Sequence, residues 1–388
     1  MSLQFIIKTI IAQRDNVYSS FPTMVEHAGD VYIYYRQGHK DSYQCHGLNG
    51  RVRCLRVNKA ALLKHFAEAN DSPVLLAGDD LCVFDGDQEC PGAKKNQERP
   101  LRQCGSHPAA VKNQERSLRP CGSHPGAANN NELDAIVSGL QGDLFTLCSR
   151  VYVRDRSAAT YISFANTPVF DGRREVVVEG VAWLVFYGKA FRWGTGYVFP
   201  AYGVLEGRDQ KTMPLVLYTG DLVSWTLLSY VQGDGIILNE NSIVYYDGRY
   251  VMFIRQDSAP YGIWYAVSGD LRSWSAPVRL IEGAHAPMAI VRDNRCFLSF
   301  RRLCRDGLSA VSVMSPFEGT KRDDMTVDIE TYEGSPFDGG YTDPVFIDDH
   351  LFVVYYVGNT SGEPYIRLAR CGCTSNKKCG CTSNKQIT

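Results

Sequence analysis

Residues 241–255 read NSIVYYDGRYVMFIR. One apolar run reaches Asp-Gly and a second leaves it, both rich in Val, Ile, Tyr and Phe. Asp-Gly between two such runs is a strong short-range signal for a β-hairpin. The unit recurs as FPTMVEHAGDVYIYYR at 21–36, DAIVSGLQGDLFTLCSR at 134–150, PMAIVRDNRCFLSFRR at 287–302 and DPVFIDDHLFVVYY at 343–356. A sixth, less regular unit surrounds VAWLVFYGK at 181–189 and GYVFPAYGVL at 196–205. Antiparallel units repeating at this size imply a propeller, in which each sheet buries its faces against its neighbours. The expected fold is all-β, a six-bladed β-propeller, with a five-bladed propeller as the alternative. The apolar N-terminal stretch LQFIIKTIIAQ is an orphan strand by its pattern. It is expected to complete the C-terminal blade as its outer strand, closing the ring and removing two sheet edges.

The whole chain agrees with this reading. Its 388 residues are 44% hydrophobic, enough for a large core, and its 22 Tyr and 35 Gly favour strands joined by tight turns. A net charge of −1, with no long basic run, gives no sign of nucleic-acid binding or of a membrane surface. No apolar run is long enough to span a bilayer. The N-terminus lacks the basic start and small-residue cleavage site of a signal peptide, so a cytoplasmic location is the default. The 13 cysteines are an odd number, which points towards a reducing compartment. Cys54, Cys82, Cys148 and Cys296 lie in apolar runs and read as buried hydrophobes.

One propeller domain is expected over residues 1–370. Within it, 91–131 reads as an inserted loop, polar and repetitive, with KNQERPLRQCGSHP from Lys95 and KNQERSLRPCGSHP from Lys112. Residues 371–388 form a cysteine-rich tail with CGCTSNK twice, from Cys371 and Cys379. Paired Cys-x-Cys units are able to bind zinc or copper, but a short tandem duplication explains them as well, so no metal and no cofactor is expected.

The hairpins also count out a site. Arg36 lies seven residues after Gly29, Arg255 seven after Gly248 and Arg301 seven after Asn294. Pro22, Asn241 and Pro287 lie seven before the same turns. Antiparallel strands of equal length return to the same end, so three blades bring an arginine to equivalent places near the axis. Glu240 joins Arg255, His285 joins Arg301, and Tyr341 enters from the last hairpin. After Arg36 comes QGHKDS, with His39 and Asp41. Each arginine alone would be explained by pairing with a carboxylate at a blade end. Three at matched positions, with Glu240 and Tyr341 in the same layer, point to a polar pocket that captures a carboxylate or sulfate.

Most of the chain outside the insertion and tail resembles the sialidase (neuraminidase) superfamily. Thr219-Gly-Asp221-Leu-Val-Ser-Trp225 and Ser268-Gly-Asp270-Leu-Arg-Ser-Trp274 look like its Asp-box (BNR) repeats, one residue shorter and without the usual glycine. They are expected to act as structural turns. ILNENSIVYYDGRYVMFIRQ looks like the stretch carrying a catalytic Glu and a substrate-binding Arg, here Glu240 and Arg255. DGGYTDPVFIDDHLFVVYY looks like the stretch with the nucleophilic Tyr, here Tyr341. The resemblance makes Arg301 another carboxylate-binding arginine, with Arg302 as its substitute, and Asp41 the nearest match to the acid. It departs at YSSFP, where Ser20 stands in place of the family's first arginine.

The resemblance implies an exo-glycosidase that hydrolyses a glycoside of an acidic sugar, with Tyr341 as nucleophile, Glu240 as its base and Asp41 as acid. Arg36, Arg255, Arg301, His39 and His285 would bind the substrate, and an acidic glycan is the expected partner. Two alternatives stay open: a non-catalytic glycan-binding propeller, and a five-bladed glycosidase of the arabinanase or fructosidase type. The second needs further inward carboxylates, for which Asp343 is the one other candidate.

Deleting residues 94–130 is expected to leave cooperative unfolding and its midpoint unchanged, because changes of loop length cost little. Loss of a cooperative thermal transition in that variant would mean that the segment packs on the core.

Overall fold

The computed structural model describes residues 4–12, 15–39, 48–68, 79–84, 131–140, 143–153, 157–170, 172–208, 211–304, 307–318, 326–333, 339–358 and 364–372. Both repeats within 91–131, and the cysteine-rich tail apart from Cys371 and Gly372, fall outside them.

Six antiparallel sheets follow one another along the chain as blades. Blade one comprises Val17–His27, Asp30–His39, Leu48–Asn58 and Asp79–Phe84. Blade two comprises Asn131–Leu140, Leu144–Val153, Ser157–Ala165 and Arg174–Glu175. Blade three is built from Val181–Phe186, Gly196–Leu205, Met213–Thr219 and Thr226–Tyr230, with Phe191–Trp193 as a short addition. Blade four holds Leu238–Tyr246, Arg249–Gln256, Gly262–Ser268 and Val278–Glu282, and blade five Ala284–Arg292, Arg295–Leu303, Leu308–Met314 and Thr326–Glu333. Blade six has Thr342–Ile347, His350–Val357 and Tyr365–Gly372 from the C-terminal part and Gln4–Ile11 from the N-terminal part. Six blades replace the five-bladed alternative, and with it goes the arabinanase or fructosidase reading.

The ring closes as the orphan strand required. Gln4–Ile11 pairs antiparallel with Tyr365–Gly372, from Gln4 opposite Gly372 to Ile11 opposite Ile366. Cys371 and Gly372 therefore belong to a strand. Ile10 is wholly buried among Ile366, Leu368 and the core of blade one.

The tight turns carry the backbone chemistry that the sequence advertised. Ala28 and Gly29, Asp247 and Gly248, and Asp293 and Asn294 all have positive φ, as the mirror-image two-residue turn demands. Each turn sets its register, with His27 opposite Asp30, Tyr246 opposite Arg249 and Arg292 opposite Arg295.

The two Asp-Leu-x-x-Trp segments form turns closed in the same way. The Thr219 hydroxyl accepts from the Leu222 amide at 2.8 Å, and Asp221 Oδ1 accepts from the Val223 and Ser224 amides at 2.9 and 2.7 Å. Ser268 and Asp270 repeat the pattern on Leu271, Arg272 and Ser273. Hydrogen bonds to these amides hold the Asp221 carboxyl down at about 2. Trp225 packs on Phe186 and Phe199, whereas Trp274 donates to Ser229 Oγ at 3.0 Å and so ties blade four to blade three. These are structural turns, as expected.

Removing residues 1–11 exposes the edge of Tyr365–Gly372 and uncovers part of the core around Ile10. The shortened chain is expected to melt at lower temperature and to self-associate, and Ile10→Ala alone to cost about 2–4 kcal/mol. Thermal melting with light scattering reads both effects. A shortened chain that melts like its parent and stays monodisperse would contradict the closure.

Candidate active site

The second strand of a blade carries the arginine at a fixed count from its turn. The sixth residue after the first paired position is Arg36 in blade one, Arg255 in blade four and Arg301 in blade five. The same count from Leu144 gives Arg150 in blade two. Sequence reading missed this fourth arginine because the connection from Leu140 to Leu144 is one residue longer than the other turns. The informative origin is the positive-φ residue Asp143, from which Arg150 is again the seventh.

Opposite every one of these arginines the inner strand slips its register, between Ser20 and Thr23, Glu132 and Asp134, Leu238 and Asn241, and His285 and Met288. A bulge bends a strand and re-aims the side chains beside it. In blades one and five the slip holds a strained non-glycine residue at positive φ, Phe21 and Ala286. In blade four it turns Glu240 towards Arg255.

Four of these residues meet at Tyr341. Its hydroxyl donates to Glu240 Oε1 at 2.5 Å. Arg255 Nη1 donates to the same carboxylate oxygen at 2.9 Å and to the Tyr341 oxygen at 3.0 Å, and Nη2 donates to Asp257 at 2.7 Å. The Arg301 guanidinium lies over the Tyr341 ring, 5.5 Å from its centroid. Arg301 Nη1 donates to the Gly339 carbonyl at 2.7 Å, and Nη2 lies 3.0 Å from His285 Nδ1. Because a guanidinium only donates, that ring nitrogen accepts, which fixes His285 as the neutral tautomer with its proton on Nε2. Phe21, from the bulge of blade one, packs edge-on against Tyr341 at 4.9 Å, and Tyr356 stacks on it at 6.2 Å.

These groups are almost out of water. Glu240 is 5% exposed, Arg255 7%, and Arg36, His285 and Arg301 not at all. Burial, then Glu240, push the Tyr341 phenol well above its ordinary range, against the pull of Arg255 and Arg301. The phenol is therefore protonated, with a carboxylate oxygen in place to take its proton. Burial works against the charge of Arg255, but Glu240, Tyr341 and Asp257 outweigh it and hold the guanidinium cationic. Glu240 Oε2, Arg255 Nε and Arg301 Nε are buried and have no partner among the described residues.

A second charged group lies beside the first. Lys189 Nζ meets Asp343 Oδ2 at 2.5 Å, the Thr23 hydroxyl and Met24 carbonyl at 3.0 Å each, and the Val137 carbonyl at 2.8 Å. It thereby joins blades one, two and six to its own segment within blade three, just after Val181–Phe186. Burial pulls the Lys189 pKa down, and Asp343 opposes this. Asp343, considered above as an inward catalytic carboxylate, is instead this ammonium's counter-ion. A cavity lined by Tyr341 and Asp343 is walled further by Phe21, Arg150, Tyr187 and Met288.

The other expectations divide. Arg36 stands opposite Ser20, wholly buried at the register place the count gave it. Arg302 does not substitute for Arg301: it faces outward and pairs with Asp328. His39 ends its strand opposite Val17, and its side chain, like Asp41 as a whole, lies outside the described residues. Among the described residues no cluster of His, Cys, Asp and Glu is fit to hold a metal, and no helix is long and apolar enough to cross a membrane.

No family model matches the chain, and no curated protein does. Solved structures match it along almost its whole length. A Dyadobacter fermentans protein of unknown function aligns with a TM-score of 0.67 at 13% identity, over 95% of this chain and 98% of its own. Trypanosoma rangeli sialidase aligns with a TM-score of 0.59 at 10% identity, over 95% of this chain and 60% of its own. The Hadza microbial sialidase Hz136 gives 0.57 at 11% identity, over 91% of this chain and 65% of its own. The chain thus spans about 60% of the length of the trypanosomal enzyme. Likeness at such identities is a likeness of fold: the chain is a six-bladed propeller of the sialidase-like kind.

Proposed function

We propose that the chain is a retaining exo-glycosidase acting on a glycoside of an acidic sugar, sialic acid or a relative, with Tyr341 as nucleophile and Glu240 as its base. The observation that carries this reading is the 2.5 Å hydrogen bond from the Tyr341 hydroxyl to Glu240, with Arg255 on both oxygens. An anomeric carbon that bears a carboxylate repels an anionic nucleophile. A neutral phenol that gives up its proton only as it attacks avoids that repulsion, and sialidases depart in this way from the two-carboxylate pattern of glycosidases. Tyr341 Oη bonds to the anomeric carbon while Glu240 takes the phenol proton. The glycosidic oxygen leaves with a proton from the acid, for which Asp41 is proposed on the resemblance alone. Water then attacks the same carbon, giving up a proton to the acid's conjugate base. Tyr341 departs and recovers its own proton from Glu240.

Arg255 and Arg301 hold the substrate carboxylate in this reading. A guanidinium has five N–H groups, and Arg301 spends two on Gly339 and His285. The remainder includes the buried Nε of each arginine, which has no partner among the described residues. Arg36 is proposed as a further cation behind the site. Ser20, where the family has an arginine, lowers carboxylate affinity by about 1.5–3 kcal/mol, the worth of one charged hydrogen bond.

A glycan-binding propeller would share the arginines and have no use for the Tyr341–Glu240 contact, which favours the catalytic reading. With an aryl sialoside as substrate, Tyr341→Phe and Glu240→Gln are each expected to lower kcat by about 100-fold or more, while Arg302→Ala leaves it unchanged. Unchanged turnover in both site variants would sink the assignment. Binding of acidic glycans that Arg255→Ala abolishes, in a parent that cleaves none of them, would transfer the site to the binding reading.

A further inference from the structure

Tyr187 follows the inner strand of blade three, and nothing in the chemistry above uses it. Three local features hold it. Its amide donates to the Pro200 carbonyl at 3.0 Å. Gly188 comes next, with φ of 84°, and a Cβ there would approach the Asn241 carbonyl oxygen to 2.7 Å. Only glycine combines that backbone angle with so close an approach, so the segment presses onto the strand that carries Glu240. Lys189 then anchors the other side through Asp343, Met24 and Val137. The clamp leaves the Tyr187 ring 6.3 Å from that of Tyr341, at 71° to it.

The hydroxyl so placed is anomalous as packing. Tyr187 is 8% exposed, and its hydroxyl has no hydrogen-bond partner among the described residues. A buried tyrosine ordinarily finds one, because an unsatisfied hydroxyl costs free energy that phenylalanine would not. Tyr187 and Tyr341 line the same cavity, which puts Tyr187 at the wall of the candidate site. Burial, and then the nearby Glu240 and Tyr341, raise its pKa well above the usual tyrosine range, which keeps it a donor.

We propose that Tyr187 is a further substrate-binding residue, its hydroxyl donating to an oxygen substituent of the acidic sugar beside the carbon that Tyr341 attacks. The proposal rests on the glycosidase reading and adds to it a contact from blade three. It also assigns the stretch YGK a division of labour: Tyr187 reads the sugar, Gly188 permits the approach, and Lys189 fixes the segment.

Tyr187→Phe keeps the ring and removes only the hydroxyl. A packing role and a binding role then differ in sign. The variant is expected to melt at the parent's temperature or above it, because a buried group without a partner is gone. Its kcat/KM on an aryl sialoside, and its affinity for free sialic acid by calorimetry, should fall about tenfold, the worth of one substrate hydrogen bond. Equal kcat/KM and equal affinity overturn the proposal whatever the melting temperature does. If the parent cleaves the sialoside and Tyr187→Phe cleaves it equally well, the role of Tyr187 alone is lost. If the parent neither cleaves nor binds a carboxylated sugar, the glycosidase reading is lost and this proposal with it.

Discussion

A two-residue turn with both residues in the left-handed region leaves the strands that it joins no choice of register, and here that register decides where charge goes. With His27 paired to Asp30, Tyr246 to Arg249 and Arg292 to Arg295, the sixth residue beyond that pair on each outgoing strand is an arginine. A slip of one residue would turn each of them to the opposite face of its sheet. Ring closure by Gln4–Ile11 then fixes the blades relative to one another. Tyr341 of blade six, Glu240 and Arg255 of blade four and Arg301 of blade five thus come within contact although they are distant in the sequence. The bulge opposite each arginine supplies the local freedom that a regular ladder would deny.

Charge burial at this depth is costly, and the site shows how the cost is met. Arg255 sits between Glu240 and Asp257, and Lys189 sits on Asp343 inside a cage of three further oxygens. Arg255 and Lys189 each have an anion in contact, the condition under which such groups are tolerated, whereas the wholly buried Arg301 rests on the Gly339 carbonyl, the neutral His285 ring and the face of Tyr341. Glu240 Oε2, Arg255 Nε, Arg301 Nε, Tyr187 Oη and Asp343 Oδ1 are buried around Tyr341 without partners among the described residues.

Much of this was legible in the sequence, and the reasons differ by element. The hairpins and their Asp-Gly and Asp-Asn turns announced the sheets, and the orphan N-terminal strand announced the closure. Equal counts from three turns found Arg36, Arg255 and Arg301, because pairing geometry converts sequence distance into position. Arg150 escaped because its turn is one residue longer. Lys189 and Tyr187 escaped for another reason. They lie in the one irregular blade, where a short strand, Phe191–Trp193, interrupts the hairpin and no count applies. The isolated Gly188 within an otherwise apolar strand pattern was the available signal, since such a glycine marks close backbone approach. The pairing of Asp343 with Lys189 joins blade six to the segment after the inner strand of blade three, and no local pattern encodes it.

The central claim is that Tyr341, not a carboxylate, forms the bond to the sugar. A sialic acid fluorinated at the anomeric carbon and at the carbon next to it tests this directly. The first fluoride is a good leaving group, and the second withdraws electrons from the centre that must later lose the enzyme, so the covalent intermediate accumulates. Mass spectrometry of the intact chain and of its peptides should find one added sugar, on the peptide that contains Tyr341, and none in Tyr341→Phe. Steady hydrolysis of sialosides with no adduct, or an adduct on Glu240 or Asp257, would contradict the assignment.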